Sequence, residues 1–234
     1  MRNFIFVILL VITCSFALNL KSTGEHSGGH ADCSKDGPHP QYFRVTQMLK
    51  FKSDEKFKRI IQGFMDYFHE ACHEYQVGYV RKRISEILQL SPAENLAFFT
   101  RFLQNGFDMS NIDQRVSKSI GAIEGIVSQK GEGAHEDCSK DGPHPKYYSA
   151  KEIMKFGNKK FKKTVQGFMD YFRHACHESQ VGYVKGRVSE LIKYSPADYG
   201  KFFARFKKAG LSHDHVDARV AEAVKQVMEI TSSK

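Results

Sequence analysis

His69, Glu70 and His73 have the H-E-x-x-H spacing that zinc proteases use. On a continuous helix this spacing places two imidazoles beside one metal ion and aims the glutamate at a metal-bound water. A second copy of the segment follows 104 residues later, with Arg173 and His174 at the positions of His69 and Glu70. Because that copy lacks both residue types and no third ligand follows at the usual spacing, we expect solvated residues near a helix end and no catalytic site.

The first 17 residues have the features of a secretory signal peptide. Arg2 supplies a positive charge, residues 4–16 form an apolar run, and Ser15 and Ala17 place small side chains at the positions that a signal peptidase reads. We expect cleavage after Ala17 and secretion of the mature chain. No other run approaches the roughly 20 apolar residues of a transmembrane helix, so we expect no membrane span.

The remaining cysteines allow two chemistries, a zinc site or disulfides. Cys33 and Cys72 with His39 and His73 would give two thiolates and two imidazoles, a set that zinc accepts. However, adjacent residues on a helix diverge by about 100°, which separates the side chains of Cys72 and His73. Export also favours oxidation, and a duplicated pattern favours a bond that each copy makes alone. We therefore predict no metal, no cofactor and two disulfides, namely Cys33–Cys72 and Cys138–Cys176.

The chain contains an internal duplication. Residues 137–145 repeat residues 32–40 unchanged, and residues 166–172 repeat residues 62–68. A period of this length predicts two similar domains of roughly 100 residues each. The predicted organisation is a signal peptide at 1–17, a flexible leader at 18–31, a first unit at 32–128, a linker at 129–135 and a second unit at 136–234.

Apolar residues recur with helical periodicity in both units. No segment shows the alternation of polar and apolar residues that is typical of a strand. Apolar residues from Phe57 to Cys72 recur at three- and four-residue steps, which predicts one long amphipathic helix that carries Cys72 on its buried face. Ser91 followed by proline and an acid predicts a helix start, Gly106 and Gly210 predict helix ends, and Ser110 predicts another start. The expected fold is all-α, with a four-to-five-helix bundle and one disulfide in each unit.

The aromatic side chains suggest a possible binding site. The chain has 19 Phe and 10 Tyr but no Trp, and the third long helix of each unit places three Phe within two turns. Core packing alone would explain these rings, whereas a cavity between helices would make them a ligand site. The candidate lining residues are Phe64, Phe68, Phe98, Phe99 and Phe102 in the first unit, and Phe168, Phe172, Phe202, Phe203 and Phe206 in the second.

Positive charge is concentrated in the second unit. Residues 31–130 carry 14 Lys and Arg against 12 Asp and Glu, whereas residues 136–234 carry 19 against 12. Lys159, Lys160, Lys162 and Lys163 lie on one predicted helix, where they form either a solvated face or a patch that attracts anionic lipids or glycans. Secretion argues against nucleic acid as the partner.

The ends of the units resemble the nematode polyprotein allergen family. The resemblance rests on Gly210-Leu211-Ser212 and on the segment from Val216 to Val224, VDARVAEAV. Members of that family are secreted, helix-rich tandem modules, and the resemblance implies binding of fatty acids or retinol. It assigns no particular binding residue in this chain.

The sequence therefore predicts a secreted, non-enzymatic carrier of small hydrophobic ligands. No nucleophile elbow, phosphate-binding loop or dinucleotide fingerprint occurs. The alternative function is a basic interaction protein that docks on anionic membrane or glycan surfaces, and a zinc-binding protein is the remote third reading.

Overall fold

The computed structural model describes residues 29–107, 114–211 and 217–232. The predicted signal peptide and most of the predicted leader lie outside these ranges, as does the predicted helix start at Ser110. Within them the chain forms ten α-helices and no strand. The helices are α1 (Val45–Met48), α2 (Asp54–Glu70), α3 (His73–Ile87), α4 (Pro92–Gln104), α5 (Gln114–Val127), α6 (Ala150–Met154), α7 (Asn158–His174), α8 (His177–Leu191), α9 (Pro196–Lys208) and α10 (Ala218–Ser232). No helix in this part of the chain is long and apolar enough to cross a bilayer.

The predicted fold class is confirmed. The chain folds as two similar all-α halves, in which α1 to α5 correspond to α6 to α10. Each half contains one disulfide, Cys33–Cys72 in the first and Cys138–Cys176 in the second, and both pairs have Cα atoms 5.0 Å apart. Each disulfide ties a short 3₁₀ turn, Cys33–Lys35 or Cys138–Lys140, to the N-terminus of the third helix of its half.

Local sequence signals set the ends of α4 and α9. Ser91 and Glu94 form a reciprocal capping box at the start of α4, as predicted, because the Ser91 hydroxyl accepts from the Glu94 N–H and the Glu94 carboxylate accepts from the Ser91 N–H. Gly106 and Gly210 follow the ends of α4 and α9 with φ of 81° and 70°. Only glycine adopts that conformation without strain, so both helices stop there.

One predicted helix is in fact two. The periodicity from Phe57 to Cys72 predicted a continuous helix, but α2 ends at Glu70 and α3 begins at His73. Ala71 and Cys72 between them have extended backbone, with ψ of 153° and 155°. Hydrogen bonds from outside the helices hold this corner, because an Asp36 carboxylate oxygen accepts from the Cys72 N–H at 3.1 Å and the His30 carbonyl accepts from the His73 N–H at 2.7 Å. Periodicity along one helix could not show these long-range partners.

The two halves share one hydrophobic core. Helices α3 and α5 of the first half pack against each other and against α8 and α10 of the second half. The buried apolar side chains of both halves belong to one contiguous cluster, and several have no exposed surface, among them Val80, Ile84, Ile123, Val184, Val188 and Val224. Removing these side chains from water provides the main favourable contribution to joining the halves.

The halves are related by an approximate two-fold axis. Ser85 of α3 and Ser189 of α8 are equivalent residues of the duplication, and the Ser85 hydroxyl donates to the Ser189 carbonyl oxygen at 2.8 Å. The contacts between helices are reciprocal as well, because α3 packs against α10 and α5 packs against α8. Such self-complementary contacts are the mark of a two-fold arrangement. Both serines are buried, with 1% and 0% of their surface exposed, so α3 and α8 approach closely at this point.

Candidate functional site

A buried carboxylate organises the disulfide corner of each half. In the first half the Asp36 side chain is 2% exposed and accepts from Cys72 N–H, while His30 Nε2 lies 2.9 Å from Asp36 Oδ1. We call the segment that precedes the first helix of each half, residues 32–44 or 137–149, the strap. It contains Asp36 and His39, and the Tyr67 hydroxyl lies 3.0 Å from His39 Nδ1. A buried carboxylate needs such donors to offset its lost hydration. The corner therefore fixes the strap, the end of α2 and the start of α3 to one another.

The second corner repeats this arrangement around Asp141 and adds a donor. Asp141 accepts from Cys176 N–H at 2.9 Å and from the Ser179 hydroxyl at 3.0 Å, and His135 Nε2 lies 3.1 Å from it. Burial alone raises the pKa of Asp141, but these hydrogen bonds and the neighbouring His135 more than offset it, so that the pKa lies below its ordinary value. The first half has Tyr75 at the position of Ser179, so the Ser179 hydroxyl is specific to the second corner.

The second corner is expected to lose stability in acid. Because the pKa of Asp141 is lower in the folded chain than in the unfolded one, its ionised form stabilises the fold above the unfolded pKa of about 4. That contribution disappears as the pH falls through the lower, folded-state pKa. The melting temperature of Ser179→Ala, which loses one donor to the carboxylate, should therefore decline less steeply between neutral pH and strong acid than that of the parent chain. Ser128→Ala, whose hydroxyl bonds only the Gly125 carbonyl, is the control, and identical slopes for all three proteins would contradict the assignment.

Sequence reasoning missed His30 and His135. It placed them in the predicted leader and linker, whereas both rings contact the buried aspartates and both carbonyls accept a hydrogen bond from the first residue of α3 or α8. The sequence did contain a signal for these two histidines. The pattern H-x-D-C-S-K-D occurs in both copies, so the repeat begins two residues before Asp32, where the duplication was predicted to start.

The residues considered for zinc do not form the expected set. Cys33 and Cys72 are joined as a disulfide, and the His39 ring lies against Tyr67 and Tyr75 instead, with ring centroids 5.7 and 4.4 Å away. Cys33, Asp36 and Cys72 do place potential ligand atoms within 4.8 Å of one another, as do their counterparts in the second half. Sulfur atoms in a disulfide offer no thiolate, so these clusters hold no metal while oxidised.

The H-E-x-x-H motif is divided by the corner. His69 and Glu70 are exposed at the end of α2, while His73 is the first residue of α3. The two-histidine geometry requires one continuous helix, which is interrupted here at Ala71 and Cys72.

A cavity lies between the helices of the second half. It has a volume of about 50 Å³ and is lined by α6 to α10 and by the strap before α6. Four of the five candidate phenylalanines of this half line it, namely Phe168, Phe202, Phe203 and Phe206. Phe172 does not line the cavity and is buried beneath it, with its ring centroid 6.3 Å from that of Phe168.

The cavity combines an apolar wall with positive charge. Arg187 is 8% exposed and already paired, because its Nη1 donates to Glu190 Oε2 at 2.8 Å and to the Tyr148 carbonyl at 3.2 Å. Burial lowers the pKa of Arg187, but the neighbouring Tyr183 and Glu190 raise this pKa by a larger amount, so the guanidinium stays charged. Lys146 also lines the cavity and is exposed. Lys146 is thus the lining cation that remains exposed to solvent.

The candidate phenylalanines of the first half form a packed aromatic core. Phe64, Phe68, Phe98 and Phe102 are at most 8% exposed, and Phe99 is half-buried. Their rings contact one another and Tyr79, with centroids 4.4 Å apart for Phe64 and Tyr79 and 5.9 Å apart for Phe98 and Phe102.

Two cavity-lining positions differ in side-chain size between the halves. Thr164 and Val165 line the cavity, and the first half has the larger Ile60 and Ile61 at the same positions. Larger side chains at these positions leave less room between the long helix and its neighbours, because protein interiors pack to near-crystalline density.

The four lysines singled out by sequence lie on the surface of α7. Lys159, Lys160, Lys162 and Lys163 are all exposed, and three of them border a shallow surface recess that also includes Asp170. The recess lies on the opposite side of α7 from Phe161, which is fully buried.

Fold and site together define an all-α tandem repeat with a disulfide-bonded corner in each half and a small apolar cavity in the second. No protein-family model, curated protein or solved structure matches the chain.

Proposed function

We propose that the chain is a secreted, non-enzymatic carrier of small hydrophobic ligands, and that the second half holds the ligand. The observation that supports this function best is the Phe-rich cavity between α7, α8 and α9, with Lys146 exposed at its edge. A fatty acid or a retinoid has the matching chemistry, an apolar body with one polar end. The resemblance to nematode polyprotein allergens favours the same class of ligand, and the two disulfides suit an extracellular protein.

The ligand must enlarge the cavity when it enters. The cavity measures about 50 Å³, enough for a few water molecules, whereas ligand pockets commonly measure roughly 300 Å³ or more. Tyr199 and Phe203 on α9 are half-buried lining residues, so their outward rotation would enlarge the cavity. Met169 lines the opposite wall and offers a flexible side chain that adapts to a new shape.

Filling the cavity is expected to abolish binding. Thr164→Ile combined with Val165→Ile introduces the side chains that the first half already accommodates, so the fold should be retained while affinity for cis-parinaric acid falls at least about tenfold. The fluorescence of the bound fatty acid measures the affinity, and native mass spectrometry should show one ligand per chain.

The reciprocal change is the matched control. Ile60→Thr combined with Ile61→Val alters only the first half and should leave the affinity of the second-half site unchanged. Equal affinity in the parent and the filled variant would rule out this cavity as the binding site.

A further inference from the structure

A continuous basic face covers the outer side of α7 and the end of α9. We use this name for Lys159, Lys160, Lys162, Lys163, Lys207 and Lys208. All six side chains are exposed. The two helices meet on this face, since the Lys162 Nζ lies 3.7 Å from the place that a Cβ would occupy at Gly210, two residues beyond α9. Among the described residues none of the six forms an ion pair with an acidic side chain.

The first half shows that the fold does not require this face. At the positions of Asn158, Lys159, Lys207 and Lys208 the first half has Asp54, Glu55, Leu103 and Gln104. In the second half these eight positions, residues 158–163, 207 and 208, carry six positive charges and no negative charge. The same positions of the first half carry three positive and two negative charges. This difference of five charges equals the whole difference in formal charge between residues 136–234 and residues 31–130.

The lysines also oppose the local electrostatics of α7. The N-terminus of a helix favours anions, and α2 meets this with Asp54 and Glu55 in its first turn and a Ser53 cap. Helix α7 instead begins after Gly157 with no side-chain cap and no acid in its first turn, where Lys159 and Lys160 lie. The charges of Lys159 and Lys160 therefore do not stabilise the N-terminus of α7, although Lys160 Nζ lies 4.0 Å from the centroid of the Phe156 ring. Because none of the six lysines is paired with an acid among the described residues, their charges can attract an external anion.

From this asymmetry we infer that the basic face docks the second half onto anionic phospholipid membranes. The face extends over two helices, and the recess on α7 includes one acid, Asp170, so the face matches a broad negative surface better than a single small anion. The choice of a bilayer over a polysaccharide rests on the proposed carrier function. The same helices, α7 and α9, place Phe168, Phe203 and Phe206 along the cavity, so a docked membrane lies next to the walls through which an apolar ligand would pass.

The test exchanges the basic face for the residues of the first half. The triple variant Lys159→Glu, Lys207→Leu and Lys208→Gln lowers the net charge by four, with side chains that the same fold already tolerates. The full mature chain should sediment with vesicles of phosphatidylcholine mixed with phosphatidylserine, and not with phosphatidylcholine alone. In the triple variant this partitioning should fall by about 100-fold, and added salt should weaken the binding of the parent chain. The melting temperature should stay the same or rise, which separates loss of docking from loss of folding.

A second variant removes the same charge elsewhere. It carries glutamine at four exposed lysines outside the face, Lys50, Lys52, Lys193 and Lys225, and should retain vesicle binding within a few-fold. Equal loss in both variants, or equal binding of the parent to neutral and anionic vesicles, would overturn the inference. Retention on heparin without vesicle binding would also overturn it and point to a glycan partner. Because vesicle binding is measured without cis-parinaric acid, a failure of the carrier proposal would appear in a different experiment.

Discussion

Replacing Ser189 with glutamate is expected to destabilise both halves of the chain by about 4 kcal/mol or more. Ser189 is fully buried where α8 meets α3, and the Ser85 hydroxyl donates to its carbonyl. A glutamate there would place an uncompensated charge between the two helices. Hydrogen exchange read by mass spectrometry should show faster exchange in α3 and α5 as well as in α8 and α10, because these helices share one core.

Alanine variants at the same contact are the controls. The Ser189 hydroxyl is buried without a hydrogen-bond partner in the described structure, so Ser189→Ala should change the free energy of unfolding by less than about 0.5 kcal/mol. Ser85→Ala loses a buried donor and should cost about 1 kcal/mol. Faster exchange confined to residues 150–232 of the glutamate variant would show that the halves are stable separately.

Removing one disulfide is expected to lower the stability of the whole chain by up to about 4 kcal/mol, the chain-entropy value for a loop of this length. Cys33 and Cys72 are 39 residues apart, and Cys138 and Cys176 are 38 apart. Two separate domains, as the duplication predicted, would confine the damage of Cys72→Ser to the first unit. The shared core changes that expectation, because helices of the intact half pack on helices of the damaged one.

Urea unfolding followed by circular dichroism tests this prediction. Cys33→Ser with Cys72→Ser, and separately Cys138→Ser with Cys176→Ser, should each give one transition at a lower urea concentration. Two separate transitions in either variant would contradict the shared core and support independent domains.

Much of the fold could be predicted because it depends on local signals. The capping box at Ser91, the glycine stops at Gly106 and Gly210, and the duplication of the cysteines each act within one half. The corner at Ala71 could not be predicted from periodicity, since it depends on Asp36 and on the His30 carbonyl, both more than 30 residues away.

The candidate site was only partly predictable, for a similar reason. Phe168 and Phe203 were identified from the sequence because aromatic residues cluster on helix faces. The space beside Thr164 and Val165 depends on small differences in side-chain volume, and a difference of this size becomes visible only when the helices are packed together. The contact between the halves was also missed, because α3, α5, α8 and α10 have apolar stripes that suit an internal bundle core equally well.

The approximate two-fold axis through Ser85 and Ser189 has a consequence for how this molecule can specialise. In a dimer of identical subunits every substitution appears twice, so a charged surface on one side is always matched on the other. Joining two such subunits in one chain removes that constraint, and here one half has acids and two isoleucines where the other has lysines and lines a cavity with smaller residues. A protein with a basic surface on one side would bind a negatively charged membrane in a single orientation.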